Sequence, residues 1–334
     1  MNILLTGGLG YIGSHTAAVL SSQGHEIVLL DNLSNSDIQV LDSLKVITGS
    51  PFFFYEGDVR NRLLLDTILR KHSIEAVIHF AGLKSVAESD SDPLRYYDNN
   101  VGGSIVLIEA MQEAKIYKLI FSSSATVYGV PHYLPYDEQH PLEPINTYGK
   151  TKLQVEEILR DLAFANPAWS IAALRYFNPV GAHESGLIGE FPRGKPNNLM
   201  PYICQVATGQ YPHLSVFGDD YDTKDGTGER DYIHVMDLAE GHAAALELVN
   251  KHQGFEEINL GTGIAYSVFE LIAAFEKVSK LTVAKVIKER RSGDLPRYYA
   301  KAEKAKNFLN WQATRGLDEM CKSSWKFQKT LHDR

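Results

Sequence analysis

Short apolar runs recur through the first 175 residues of the chain, at positions 3–5, 27–30, 52–55, 76–80, 119–121 and 171–174. They are nearly continuous rather than alternating, the pattern of strands buried on both faces. Between them, residues 12–22, 63–71, 93–114 and 147–165 place apolar side chains at helical spacing. In the last of these, Leu153, Val155, Ile158, Leu159 and Leu162 share one broad face. Strands alternating with helices predict an α/β fold, a doubly wound parallel sheet covered on both sides.

After Arg175 the texture changes, with Gly, Pro and Asn crowded between Asn178 and Pro201. A large unit over residues 1–177 and a smaller α/β unit over 178–334 are expected. The boundary is soft, because residues 214–217 and 257–260 read as further strands and the second could return to the main sheet.

Composition narrows the function classes. With 334 residues, 44% hydrophobic and 22% charged, the chain is neither disordered nor fibrous. Its net charge of -8, without a Lys/Arg run, argues against a nucleic-acid partner. No stretch reaches the roughly 18 apolar residues of a membrane span, and the start, Asn2-Ile3-Leu4-Leu5-Thr6, reads as a strand and not a leader. Cys204 and Cys321 are far apart and form no CxxC pair, so two reduced thiols in a cytoplasmic protein are expected. The histidines are scattered and form no HExxH pattern, and no metal site is expected.

The first run leads directly into Thr6-Gly7-Gly8-Leu9-Gly10-Tyr11-Ile12-Gly13, with glycines in two overlapping registers. Glycine permits a tight turn and lets backbone approach a pyrophosphate at a helix amino end, where N–H groups and the dipole favour anions. Gly13 allows close packing of helix on strand. Asp31 ends the next run, where a carboxylate accepts from an adenosine ribose and repels a 2′-phosphate, which favours NAD over NADP. Asp58 follows the third run as a candidate for the adenine end or for an ordinary surface turn.

Tyr148 and Lys152 stand four apart at the start of a predicted helix, on one face. A phenol of pKa about 10 needs a cationic neighbour before it can take a proton near neutrality, and Lys152 can supply it. Ser122, Ser123 and Ser124 follow the fifth run, at the strand end where open α/β sheets bind ligands. Arg230 and Arg291 are the candidates for holding phosphates, since a guanidinium presents paired donors.

Glycine turn, Asp31, serine-ended strand and Tyr-x-x-x-Lys together resemble the extended short-chain dehydrogenase/reductase superfamily, of Rossmann fold, over essentially the whole chain. Longer blocks are similar to the UDP-glucose 4-epimerase family: residues 6–15, 79–84, 96–100, 122–129, 175–183, 197–201 and 230–235. The resemblance implies a homodimeric isomerase of galactose metabolism, acting on UDP-glucose and UDP-galactose with NAD. It implies NAD contacts from Gly7, Gly10, Tyr11, Ile12, Gly13, Asp31, Asn32, Asn35, Ser36, Asp58, Val59, Phe80, Ala81, Gly82, Lys84, Asn99, Lys152 and Phe177. Ser124 and Tyr148 would meet the reacting hydroxyl. Asn178, Asn198, Leu199, Val216, Phe217, Arg230, Arg291 and Tyr298 would line the nucleotide-sugar pocket, with Tyr298 bordering the hexose and limiting its size.

Two other functions fit the same fold. A nucleotide-sugar 4,6-dehydratase needs Asp-Glu after its catalytic hydroxyl residue, and Ala125 and Thr126 stand there. A non-enzymatic NAD-sensing scaffold would have no use for Tyr148 and Lys152 together.

Overall fold

The computed structural model describes all residues except 193, 195, 292, 333 and 334. The strands are β1 (Asn2–Thr6), β2 (Glu26–Asp31), β3 (Phe53–Glu56), β4 (Ala76–His79), β5 (Lys118–Ser124), β6 (Ser170–Tyr176), β7 (Asn178–Val180), β8 (Leu214–Phe217), β9 (Glu229–His234), β10 (Gly254–Leu260), β11 (Ala265–Ser267), β12 (Lys285–Lys288) and β13 (Arg297–Tyr298). The helices are α1 (Tyr11–Ser22), α2 (Gln39–Thr48), α3 (Arg62–Lys71), α4 (Val86–Ser91), α5 (Pro93–Tyr96), α6 (Gly103–Glu113), α7 (Thr147–Ala165), α8 (Leu199–Ala207), α9 (Val235–Lys251), α10 (Val268–Ser279), α11 (Glu303–Leu309) and α12 (Leu317–His332).

The expected doubly wound parallel sheet is present, with seven strands in the order β10-β6-β5-β4-β1-β2-β3. Its apolar runs split by parity. Ile3, Leu5, Ile27, Leu29, Ile78 and Ile120 pack with Leu20 of α1 and Leu246 of α9 on one face. Leu4, Val28, Leu30, Val77, Leu119 and Phe121 pack with Leu65 of α3, Leu107 of α6 and Val155 and Leu159 of α7 on the other. Full burial of each such side chain is worth about 1.5–3 kcal/mol, so both faces of every central strand must be apolar.

β10 pairs with β6 along its full length, and α9, which leads into it, lies against α1. Later segments thus complete the main sheet. The rest of the second half builds a smaller unit: β9 is flanked by β11 and β13 and also pairs with β7, while β12 pairs with β8. Ile203 of α8, Leu214, Phe275 of α10 and Met320 of α12 form its core.

Residues 93–114, which the sequence predicts as one helix, are instead α5, a π-helical stretch (Tyr97–Gly102) and α6. The reason is Asn100, buried in the π stretch. Its Oδ1 accepts from Leu83 N at 2.8 Å and its Nδ2 donates to Leu83 O at 3.0 Å and Thr151 Oγ1 at 3.1 Å. The wider turn aims this amide at the loop after β4.

β1 lies between β2 and β4, so the chain leaves its carboxyl end towards β2 while the β4 loop departs on the other side. That divergence opens a crevice at the strand ends, the place where ligands bind in such sheets.

Candidate active site

The glycine turn fills the crevice floor. Gly7 has φ +67°, and a Cβ there would meet Ala81 N at 2.7 Å. A Cβ on Gly13 would meet Gly7 O at 2.4 Å. Gly10 caps α1 and offers no side chain to its first-turn N–H groups, and no acidic residue lies in that turn. Together these make a close backbone cradle with positive dipole, which fits a dinucleotide pyrophosphate.

Asp31 ends β2 and is already a local organiser. It accepts from Leu9 N at 3.0 Å, within the glycine turn, and from Leu33 N at 3.0 Å and Ser36 Oγ at 2.7 Å in the next loop. A carboxylate has about four lone-pair sites, which leaves capacity for a ribose hydroxyl. Asn32 donates to Asp58 at 3.2 Å, and Asn35 is exposed alongside. Arg60 binds Asp58 through Nε and Nη2, and this hydrogen bonding holds the Asp58 carboxyl down at about 2. Val59 is buried in the core beside Leu30, where its side chain supports the loop.

On the β4 side, Phe80, Ala81 and Gly82 pass over the turn. Gly82 lies close to the Asn100 amide and the Lys152 ammonium, where a Cβ would come within 3.3 Å and 3.7 Å of them. Lys84 pairs with Glu190 at 3.2 Å, and Asn99 donates to Asn100 at 3.0 Å.

Tyr148 and Lys152 lie on the first turns of α7, whose amino end is capped by Asn146 accepting from Gly149 N at 2.8 Å. Ser124 ends β5, where its hydroxyl accepts from Thr126 N at 3.2 Å and Thr126 Oγ1 at 3.0 Å and lies near enough to the Tyr148 phenol to act on its ionisation. Burial raises that phenol to about 12, opposed by the nearby Ser124 hydroxyl. Lys152 donates to Ser122 O at 2.6 Å, and its ammonium sits 5.9 Å from the Tyr148 ring centre. Burial lowers Lys152 to about 8, with Glu156 opposing the fall. The phenol by itself is therefore a reluctant base, and it needs positive charge beside it.

The predicted substrate residues lie on or beside β7, α8, β8, β9 and β13, in the second half of the chain. Tyr298 of β13 stands opposite Arg230 of β9 in register. Its ring packs on Phe177 at 5.0 Å and Tyr136 at 5.5 Å between centroids. Arg230 and Arg291 converge on one carboxylate, Asp294, at 3.9 Å and 2.9 Å, and Arg291 also lies over the Phe217 ring at 4.7 Å. Asn198 caps α8 and donates to Glu190 at 2.5 Å, and Leu199 begins that helix. Asn178 opens β7 half-buried. Val216 is buried in the smaller core, so it would meet a ligand only through its backbone.

Sequence reasoning missed Asp294, Glu190 and Glu156. Asp294 lies between Arg291 and Tyr298, and Arg290 and Arg291 just before it were its available signal. Glu156 is four residues beyond Lys152 on the same stripe, a charge on a face that must be buried. Nothing local marked Glu190, whose partners Lys84 and Asn198 come from two different segments.

The chain matches the NAD dependent epimerase/dehydratase family over residues 3–261. It is 56% identical over 330 residues to UDP-glucose 4-epimerase of Bacillus subtilis, covering 99% of this chain and 97% of that one. Among solved structures it superposes with TM-score 0.98 and 49% identity on UDP-glucose 4-epimerase of Stenotrophomonas maltophila with bound NAD and formylated UDP-arabinopyranose, covering 100% of this chain and 99% of the other. It superposes with TM-score 0.96 and 48% identity on the Bifidobacterium longum enzyme in complex with NAD+ and UDP, covering 99% and 98%.

Proposed function

The chain belongs to the NAD dependent epimerase/dehydratase family, and from that premise we propose that it interconverts UDP-glucose and UDP-galactose by inverting C4 of the hexose through a 4-keto sugar. The observation that carries this reading is the meeting of Ser124 at the end of β5 with Tyr148 at the start of α7, with Lys152 one turn further along α7 and bound to the Ser122 carbonyl. Ala125 and Thr126 follow Ser124, without the carboxylates that water elimination would require.

NAD, when bound, supplies the acceptor and later the donor of the C4 hydride, together with a positive charge near the phenol. The backbone of Gly7, Gly10, Tyr11, Ile12 and Gly13 would hold its pyrophosphate and Asp31 its adenosine ribose. Tyr148 takes the proton of the 4-hydroxyl, directly or through Ser124, and returns it to the product oxygen. Lys152 stabilises the phenolate as a fixed cation. Positioned proton transfer of this kind contributes about 10²–10⁴-fold. Arg230 and Arg291 grip the diphosphate, exchanging part of their contact with Asp294 for phosphate oxygens. The hexose meets the aromatic wall of Tyr298 and Phe177, so it can turn while the nucleotide stays fixed.

Incubating the purified protein with UDP-galactose and no added NAD, then separating the products, tests the reading. UDP-glucose is expected at equilibrium with UDP-galactose, and a 4-keto-6-deoxy product or no reaction would refute it.

A homodimer belongs to the same proposal. Exposed Leu94, Ile105 and Phe164 lie on α5, α6 and α7, which neighbour one another on the same side of the sheet. Light scattering on the purified protein is expected to give twice the chain mass. A cytoplasmic setting is also proposed, supported by the unbridged thiols Cys204 and Cys321. Among the described residues, no helix is long and apolar enough to cross a membrane.

A further inference from the structure

Tyr148, Lys152 and Glu156 follow one another at four-residue spacing on α7, and Glu156 has no part in the reaction as described so far. It is wholly buried. Its Oε1 accepts from Ser123 Oγ at 2.5 Å and from Arg175 Nε at 3.0 Å, and its Oε2 accepts from Arg175 Nη2 at 2.5 Å. Arg175 is equally buried and extends the frame: Nη1 donates to the Tyr128 hydroxyl at 3.1 Å, which donates to Asn259 Oδ1 at 2.6 Å. Asn259 in turn donates to Tyr136 O at 3.0 Å, and the Tyr136 ring lies against Tyr298.

Stability alone does not account for such a pair. Replacing a buried ion pair by apolar residues of similar volume is often neutral or stabilising. The location gives the reason. Lys152 grips Ser122 through its carbonyl, Glu156 grips the adjacent Ser123 through its hydroxyl, and Ser124 comes next.

We infer that Glu156 is a positioning residue of the reaction: clamped by Arg175, its carboxylate stands one helical turn from Lys152 as the opposing charge and fixes Ser124 through Ser123. The surroundings of Lys152 support this. From β4, His79 is neutral, its imidazole lowered to about 3 by burial and by Lys152 itself. From β5 come the Phe121 ring and the Ser122 carbonyl. On β6, Arg175 is bound to Glu156 and the Tyr176 phenol is bonded to His242. Burial draws Lys152 down from its ordinary value, and the charge that opposes this is that of Glu156.

The test uses the holoenzyme with its own NAD. Glu156→Gln keeps the shape and an acceptor for Ser123 but removes the charge, and Glu156→Gln/Arg175→Met removes the stranded cation as well. Two readouts are taken for each: kcat against pH, and ionisation of Tyr148 by ultraviolet difference absorbance against the matching Tyr148→Phe protein. Residues four apart on a helix have Cβ atoms about 5–6 Å apart, and an opposite charge within about 4–6 Å shifts a pKa by about 1–3 units. The alkaline limb of kcat is therefore expected to move at least about one pH unit lower, with Tyr148 ionising at higher pH, while Glu156→Asp stays near wild type. A double variant of normal NAD content and Tm whose pH profile and phenol ionisation coincide with wild type would overturn the proposal. Should the Gln variants not fold, Ser123→Ala decides: a fall in kcat at unchanged KM supports the positioning role, and unchanged kcat overturns it.

Discussion

Replacing Tyr298 by Cys is expected to widen the range of sugars accepted. The Tyr298 hydroxyl is driven well above its ordinary range by burial, and the charges of Arg230 and Tyr148 both reach it. The ring stands opposite Arg230 across the β9–β13 pair and packs on Phe177, and the proposed path of the turning hexose runs against it. An N-acetyl group at C2 enlarges the swept volume. Forcing extra atoms into a packed site costs about 1–3 kcal/mol, which lowers the rate about 5- to 150-fold. Wild-type kcat/KM for UDP-N-acetylglucosamine should fall below that for UDP-glucose by a factor in this range. Tyr298→Cys should bring the ratio towards one. Truncating a fully buried aromatic residue costs about 3–5 kcal/mol. Tyr298 is half-buried, so a loss of about half that is expected, visible as a lower Tm. The assay is paired: both proteins on both sugars, with NAD content measured alongside. Equal wild-type activity on the two sugars, or an unchanged ratio in a folded variant, would refute the reasoning.

Tyr148→Phe should retain NAD, measured by absorbance of the released nucleotide, and lose at least about 100-fold in kcat, because the ring stays and the proton acceptor goes. The pH dependence follows from Lys152, which is a cation below about 8 and neutral above it. Wild-type kcat should therefore fall as pH rises through that region, and a flat profile from pH 7 to 10 would remove Lys152 from the mechanism. Lys152→Met should be slow at all pH values, with the Tyr148 phenol moved further up, read by the same ultraviolet difference method. Gly13→Ala drives a methyl to 2.4 Å from Gly7 O. It should destabilise by about 1–3 kcal/mol and purify with less NAD, and normal Tm and cofactor content would show that the turn has more room than its geometry indicates.

Local chemistry made much of this protein legible before any coordinates. The central strands are apolar on both faces because helices cover both, so their runs stood out without alternation. Gly7 and Gly13 announced a backbone too close for a side chain, and the Tyr148–Lys152 spacing placed both on one face of α7. Each of these follows from short-range geometry, which one stretch of sequence contains. Tertiary structure decided the rest. The break in the 93–114 helix depends on Asn100 reaching Leu83, a contact no helical period encodes. The return of β10 to the main sheet depends on α9 packing against α1, more than 200 positions away in sequence. Arg230 and Arg291 were visible as candidates for holding phosphates, but their convergence on Asp294 required β9 and β13 to be paired. Glu156 looked like one more helical charge until burial and the facing Arg175 gave it a place in the site. The periodicity of a segment determines which face is buried, whereas the identity of what lies across that face is set only when distant segments meet.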